Sequence, residues 1–230
     1  MHSSSLLAII ALPLLCWQLL VLSQQGLASA HHFKNRYYLQ QWQQSDVSAE
    51  SYQDALRSAQ LAMQKSPAHP HYVLSLAKTL EWGLFAGLET SPEPSLAFLY
   101  EHAIALRPGW PNAYADYAWS KAYLEGDLAS SMQLLRQARK FGPYADEVLE
   151  KHASIGLDHW QYLGVDDKFY LLDVFAVMSQ SHWRIYRVLQ QQVEGHAQQR
   201  LICRYLLNQP LSPDHATRLE RQLCRRFAGR

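Results

Sequence analysis

Histidines, cysteines and adjacent carboxylates are the residues of this sequence that could bind a metal, act as nucleophiles or transfer protons. The 230 residues include eleven His and three Cys, and acidic pairs stand at Asp146-Glu147 and Asp166-Asp167. No two histidines are four residues apart, and the sequence lacks the motifs H-E-x-x-H, C-x-x-C, G-K-S/T and G-x-G-x-x-G. The acidic pairs are typical of the first turn of a helix, where the helix dipole favours negative charge. We therefore predict no catalytic residue, no metal site and no cofactor, and the sequence disfavours an enzyme without excluding one.

The composition predicts an all-α fold. Leu and Ala, which suit helices, account for 36 and 26 residues, whereas Val, Ile and Thr together account for only 18. A β-sheet needs many branched side chains, because they pack well on a pleated surface. Gly and Pro are below their usual frequencies, and charged residues make up 18% of the chain. We expect a packed helical protein rather than a disordered or strand-rich one.

The N-terminal segment has the character of a targeting or membrane segment. Residues 1–30 contain no Asp, Glu, Lys or Arg, and Leu6 to Leu22 is almost continuously apolar. This length is short for a membrane-spanning helix and long for the apolar part of a signal peptide. Ala28 and Ala30 provide the small residues that a signal peptidase accepts. A cleaved secretory signal and an uncleaved membrane anchor therefore both remain open for residues 1–30.

Both interpretations predict that the rest of the chain is periplasmic, either soluble or tethered to the inner membrane. An anchor of inverted orientation, with Lys34 and Arg36 held inside, is a further alternative because positive charge is sparse. Export leaves Cys203 and Cys224 as an even pair in an oxidising compartment, which permits a disulfide. Two buried free thiols are the alternative for this pair.

An internal repeat is visible in the spacing of small and apolar residues. Each of three segments has such residues at i, i+4 and i+7, followed by a proline: Ala55, Ala59, Ala62 and Pro67; Leu96, Tyr100, Ala103 and Pro108; Ser131, Leu135, Ala138 and Pro143. The spacing places three residues on one stripe of a helix, and the proline ends that helix. Successive prolines are 41 and 35 residues apart, so the interval is close to that of known helical repeats.

The segment from about residue 36 to 156 resembles the tetratricopeptide repeat, an antiparallel helix pair of about 34 residues. The small residues Ala77 and Ala118 also fall on signature positions of that family. The resemblance implies a solenoid of TPR-like helix pairs over residues 31–157, with two to three repeats. The longer first interval places extra residues within Gly83 to Pro94. Chance alanine periodicity in an Ala- and Leu-rich chain is the alternative explanation.

The C-terminal region, residues 158–230, is predicted to form a helical cap over the end of the repeats, because repeat arrays need an atypical terminal unit. We predict helices near residues 167–179, 181–193, 196–208 and 213–227. Candidate helix starts or caps, here and in the repeats, are Ser91, Asp127, Asp166 and Ser212.

Charge is unevenly distributed along the chain. Residues 181–230 hold nine Arg and three acidic residues, whereas residues 31–180 hold twelve Lys or Arg and seventeen acidic residues. Arg218, Arg221 and Arg225 would form one stripe of the predicted last helix. Such a stripe can contact an anionic membrane surface, an acidic glycan or an acidic protein, and a solvated face is the alternative. Nucleic acid is a poor candidate partner for an exported chain.

The resemblance to the tetratricopeptide repeat also implies a partner-binding groove along the first helix of each repeat. The positions that map to this groove are His71, Lys78, Glu81, Trp82, Asn112, Trp119 and Tyr123. Trp82 and Trp119 could anchor a partner peptide or stack on sugar rings. Packing of both tryptophans between helices is the alternative.

A second resemblance concerns function. The chain resembles the VpsP-type bacterial polysaccharide biosynthesis proteins in three segments. They are the apolar N-terminus, YYLQQWQQ at residues 37–44 and SPAHPHYVLSLAKTLEWGLF at residues 66–85. The resemblance implies a role in making or exporting a surface polysaccharide, without assigning an enzymatic step. Together with the repeat pattern and the missing catalytic motifs, it leads us to predict a non-enzymatic interaction protein, with protein partners in a complex that assembles or exports the polysaccharide. The alternative is a carbohydrate-binding or carbohydrate-modifying protein that uses an aromatic-lined groove.

Overall fold

The computed structural model describes the backbone of residues 3–227 and the side chains of residues 12–227. The ends of the predicted N-terminal segment and of the predicted cap, residues 1–2 and 228–230, lie outside the described residues. In the described part of the chain all regular structure is helical, which confirms the all-α prediction. The helices are α1 (Ser3–Gln41), α2 (Ala49–Lys65), α3 (Pro70–Phe85), α4 (Leu96–Leu106), α5 (Pro111–Tyr123), α6 (Leu128–Phe141), α7 (Asp146–Asp158), α8 (Val165–Gln180), α9 (Trp183–Val193), α10 (Gln199–Leu207) and α11 (Pro213–Arg218).

Three turns of the chain share one backbone conformation. The residues that end α2, α4 and α6 are Ser66, Arg107 and Gly142, with φ of −145°, −146° and −142° and ψ of 73°, 78° and 72°. Each is followed by a proline, which excludes the helical conformation for the residue before it. The prolines at the ends of the three predicted repeats therefore produce the same turn each time.

The predicted stripes of small and apolar residues are buried. All nine stripe residues of α2, α4 and α6 are at most 8% exposed. Ala77, Ala118 and Ala153, at equivalent positions of α3, α5 and α7, are wholly buried as well. Small side chains at these positions let neighbouring helices approach closely, which is the packing role that the periodicity predicts.

The first compact unit is Met1–Pro108. Within it α1 packs against α2 and α3, and α3 packs against α4. The helix α1 is unbroken across residue 30, the predicted end of the targeting segment, and its later part buries Ala28 and Asn35. Trp42, directly after its last residue, is buried as well. Its large apolar side chains from Leu12 to Leu27 are exposed, so they do not belong to the core. Among helices in the described part of the chain, none is both long and apolar enough to cross a membrane.

The loop between α3 and α4 contains the extra residues of the first repeat interval, as predicted. The predicted helix start at Ser91 is wrong, because α4 begins at Leu96. Pro94 excludes a helical conformation for the residue before it, so a helix cannot run through this segment from Ser91. Ser95 is the N-cap instead, and its Oγ accepts a hydrogen bond from the backbone N–H of Phe98 at 3.3 Å.

The second compact unit is Gly109–Arg230. Within it α5 packs against α6 and α7, and α7 packs against α8 and α9. The helices α8, α9 and α10 lie where the sequence predicts them. Asp127 and Ser212 cap α6 and α11 as predicted, whereas Asp166 lies in the first turn of α8 after the N-cap Gly164.

The predicted last helix over residues 213–227 is shorter in the structure. The six-residue helix α11 is followed by one π-helical turn, Leu219–Leu223. In that wider turn the N–H of Cys224 bonds to the carbonyl oxygen of Leu219 at 2.7 Å. Cys224 forms a disulfide with Cys203 of α10, with the two Cα atoms 5.5 Å apart. The predicted disulfide is therefore confirmed, and it fastens the end of the chain to α10.

Candidate functional site

The facing surfaces of α5 and α7 carry polar pairs whose members occupy equivalent positions of the two helices. Each pair joins residues 35 positions apart, the same interval as that between Pro108 and Pro143. The pairs are Asn112–Glu147, Asp116–Lys151 and Tyr123–Asp158. The Asp116 side chain is only 1% exposed, so its ion pair with Lys151 is largely shielded from water. The two helices are therefore aligned in register along their length.

A row of three aromatic rings lies on this α5–α7 face. The Trp119 ring centroid is 5.1 Å from that of Tyr123, which is 5.3 Å from that of His159 at the end of α7. Trp119 is half-buried against the core of the unit, and the Tyr123 side chain remains 36% exposed. Burial and the hydrogen bond to Asp158 raise the pKa of Tyr123, so its hydroxyl stays protonated at neutral pH.

His159 has a defined arrangement of its ring nitrogens. Its Nδ1 lies 3.0 Å from the carbonyl oxygen of Ile155. A carbonyl oxygen only accepts, so Nδ1 carries the proton that makes this bond. In the neutral ring Nε2 is therefore an acceptor for an external donor.

The row of rings ends at a cavity of about 550 Å³ in the second unit. Its wall combines the end of α5, the α5–α6 turn, the start of α6, the segment between α7 and α8, and the first turn of α8. The lining residues are Ala122, Gly126, Leu128, Ala129, Met132, His159, Tyr162, Leu163 and Asp167. Most of this wall is apolar, and the polar groups are His159, Tyr162 and Asp167. Such a mixture of an apolar wall and a few polar groups is typical of small-molecule sites.

The predicted groove residues of the second unit thus come together, since Asn112, Trp119 and Tyr123 all lie on the α5–α7 face. The sequence analysis missed the cavity residues His159, Tyr162 and Asp167. They follow the last mapped repeat position, in the α7–α8 connection and the first turn of α8, whose conformation depends on packing between helices. The aromatic residues and acids clustered between residues 158 and 169 were the available signal.

The predicted groove residues of the first unit have more structural roles. Glu81 is buried, and one of its carboxylate oxygens accepts a hydrogen bond from the Tyr100 hydroxyl at 2.6 Å. Trp82 is half-buried, with its ring centroid 6.0 Å from that of Trp42. Lys78 is half-buried and His71 is exposed.

His71 belongs to a group of histidines around Tyr72. The His69 ring stacks on Tyr72 at 4.0 Å, and the His32 ring lies 5.0 Å from it. The His71 side chain is exposed overall, but partial desolvation of its ring lowers the pKa of His71, and neighbouring charged groups, among them His69 and Arg107, lower it further. Burial and the nearby Arg36 lower the pKa of His32 to about 4, so this ring is neutral at pH 7.

The predicted basic stripe is not a single helical stripe. Arg218 turns into the protein, where its guanidinium lies 4.0 Å from the ring centroid of Tyr186. Its Nη2 also donates a hydrogen bond to the carbonyl oxygen of Ser179 at 2.6 Å. Only Arg221 and Arg225 are exposed, because the π-helical turn after Arg218 changes the register of the stripe.

Comparison of the sequence with protein-family models and with curated proteins finds no match. Within the described residues, no group of three or more His, Cys, Asp or Glu side chains is placed to hold a metal ion. The α5–α7 face and the cavity beside it are the candidate site.

Proposed function

We propose that this chain is a non-enzymatic, TPR-like interaction protein that supports the assembly or export of a bacterial surface polysaccharide. The observation that carries the interaction role is the pairing of equivalent residues across α5 and α7. It supports a stack of repeats in which successive first helices lie side by side. The common turns and the buried stripes of α2, α4 and α6 support the same arrangement.

The stack extends one helix further within the second unit. Asp146 of α7 accepts hydrogen bonds from His182 Nε2 at 3.1 Å and from Arg184 Nη2 at 2.5 Å, both near the start of α9. Within the second unit, α7 therefore packs between α5 and α9. Repeat proteins use the faces of such stacked helices to bind extended partners.

The exposed chemistry of the α5–α7 face suits a protein partner with apolar anchors and basic groups. Trp119 and Tyr123 offer large rings, the residue types that contribute most to interface affinity. The helix α7 also carries exposed or half-exposed carboxylates, those of Glu147, Glu150 and Asp158, and Asp158 is bonded to Tyr123. Burial raises the pKa of Glu150, Arg184 at 3.6 Å opposes this shift, and the nearby acids Asp146 and Glu147 add to it.

An exported location is part of the proposal. The Cys203–Cys224 disulfide fits an oxidising compartment such as the periplasm. The exposed apolar side chains of α1 fit a segment that enters or crosses the membrane during export. A phosphatase reporter that is active only outside the cytoplasm, fused after Arg230, tests this point. Activity is expected, and an inactive but intact fusion would contradict export.

The role in polysaccharide production is tested in a bacterium that carries the gene. Deletion is expected to lower cell-surface polysaccharide, and the wild-type gene restores it. Complementation with Tyr123→Ala or Trp119→Leu is expected to restore it only in part, because both variants remove ring surface from the α5–α7 face. Tyr144→Ala, which removes an exposed tyrosine of the turn between α6 and α7, is the matched control. Unchanged polysaccharide in the deletion strain would refute the role.

Glycan binding is the second candidate function. The cavity at the end of the ring row favours it, because aromatic rings beside polar groups suit a sugar. In this case the chain would bind the polysaccharide itself rather than only a protein of the assembly complex.

A further inference from the structure

We propose that the cavity beside Tyr123 binds one neutral hexopyranose unit of a glycan. The choice of a sugar rests on the proposed role in polysaccharide production. The volume of about 550 Å³ lies within the range of ~300–1,000 Å³ typical of small-molecule sites. The whole wall belongs to the second compact unit, so the cavity is complete within that unit.

The apolar part of the wall suits the C–H face of a pyranose ring. Ala122, Leu128, Ala129, Met132 and Leu163 provide this surface. A sugar ring has hydroxyls around its edge and an apolar face, so one side of the ring can lie on these side chains. Burial of that face removes apolar area from water without loss of the hydroxyl hydrogen bonds.

The polar part of the wall suits the hydroxyls. Arg136 binds Oδ1 of Asp167, which leaves Oδ2 as an acceptor. His159 offers Nε2 as an acceptor, because its Nδ1 is bonded to Ile155. The Tyr162 side chain is 71% exposed, so its hydroxyl and ring are accessible to a ligand. Hydroxyl groups, which donate and accept, match this set of acceptors.

The charge of the wall favours a neutral ligand over an ionic one. Asp167 is the acidic residue of the lining, and Arg136 balances its charge. A cationic ligand would compete with Arg136, and an anionic ligand would face the carboxylate. A neutral sugar neither competes with Arg136 for the carboxylate nor brings a negative charge close to it.

The ring row gives a path for the rest of the glycan. Trp119, Tyr123 and His159 lie in sequence next to the cavity, at centroid spacings of 5.1 and 5.3 Å. The exposed Tyr123 ring can contact a neighbouring sugar unit while one unit occupies the cavity. The site therefore fits a unit within or at the end of a chain.

The experiment uses the full chain in phospholipid nanodiscs, so that no sugar-headed detergent is present. Methyl NMR signals of Met132 and Ala129 are followed during titration with glucose, galactose, mannose, rhamnose or N-acetylglucosamine. We expect a saturable shift with at least one sugar, and none with glycerol. No saturable shift with any of the five sugars would overturn the proposal.

Matched variants test where the sugar binds. Asp167→Asn is expected to weaken binding about tenfold, because it removes a charged acceptor. Asp166→Asn, its exposed neighbour, is the control, and Arg136→Gln separates loss of the ion pair from loss of the carboxylate. Ala129→Phe fills the cavity and is expected to abolish the shift, whereas Gln133→Phe on the exposed side of α6 leaves it unchanged. Equal binding by Ala129→Phe and wild type would also overturn the proposal.

The sugar-binding site and the proposed function can fail independently of each other. Sugar binding without any effect of gene deletion on surface polysaccharide would refute the proposed function and leave the site. An effect of deletion without sugar binding would refute the site and leave the interaction role.

Discussion

Asn35 of α1 donates a hydrogen bond from Nδ2 to Thr79 Oγ1 of α3 at 2.7 Å, and both side chains are wholly buried. The same amide nitrogen donates to the carbonyl oxygen of Ala55 in α2 at 3.1 Å. One side chain thus ties α1 to both neighbouring helices. Because α1 is a single unbroken helix, its exposed apolar part continues directly into the folded first unit.

Replacement of Asn35 by Ala is expected to destabilise the first unit by about 1–3 kcal/mol, because it removes two buried hydrogen bonds. Hydrogen exchange of α1 and α3 amides measures the effect. Gln40→Ala, on the exposed side of α1, is the control. In a double-mutant cycle with Thr79→Val, the double variant is expected to lose less free energy of unfolding than the sum of the losses in the two single variants. Strict additivity would show that the Asn35–Thr79 bond is energetically unimportant.

The second unit is expected to lose stability in acid because of His152. Burial lowers the pKa of His152 to about 3, and Arg139 and Arg136 add to this effect. In the unfolded chain the imidazole of His152 takes up a proton near pH 6.5, whereas in the folded chain it does so only near pH 3. The free energy of unfolding is therefore unaffected by this group above pH 6.5 and falls as the pH drops from 6.5 towards 3. Protonation of His152 lowers the free energy of unfolding by up to about 1.4 kcal/mol for each pH unit in this range. Hydrogen exchange of α7 and α8 against pH measures it.

His152→Leu is expected to flatten this pH dependence and to raise stability at neutral pH. Neither ring nitrogen of His152 has a hydrogen-bond partner within the described residues, so burial of this polar ring costs free energy that no hydrogen bond offsets. An apolar side chain of similar size removes that desolvation cost. His196→Gln, in the α9–α10 loop, is the control. The same acid slope in wild type and His152→Leu would assign the effect to other groups.

Gly83→Ala is expected to destabilise the first unit by about 1–3 kcal/mol through overpacking. A Cβ at residue 83 would lie 2.5 Å from three atoms of the buried Tyr52 side chain. Gly26→Ala, also within a helix, is the control because nothing lies within 4 Å of its Cβ. Thermal unfolding compares the two. The clash explanation fails if Tyr52→Leu does not lessen the cost of Gly83→Ala.

Removal of the disulfide by the double change Cys203→Ala and Cys224→Ala is expected to cost roughly 3 kcal/mol, as for a closed loop of about 20 residues. The bond holds the chain end that follows α11, so proteolysis there is expected to increase first. Cys16→Ala, at an exposed free thiol, is the control. Non-reducing peptide mapping checks the bond itself, and two free thiols in exported protein would contradict it.

The sequence predicts the features of this fold that depend on local interactions. Proline turns and caps such as Ser212 act within a few residues of the chain, so the ends of α2, α4 and α6 and the start of α11 follow from local sequence. The 35-residue interval also anticipates which positions of α5 and α7 are equivalent. Contacts between segments that are distant in the sequence cannot be predicted from such local spacing. Arg218 turns inward because Tyr186 and the Ser179 carbonyl lie beside it. The cavity likewise depends on how the α7–α8 connection packs against the start of α6.

The most direct test of the central claim is photo-crosslinking at Tyr123 in living cells. The photoreactive amino acid p-benzoylphenylalanine replaces Tyr123 on the α5–α7 face or, as a control, the exposed Tyr144. The account predicts a discrete crosslinked adduct with an envelope protein or a glycan from position 123, and none from position 144. Adducts from position 144 alone, or from neither position in a folded and exported protein, would contradict the assignment of the α5–α7 face as the binding surface.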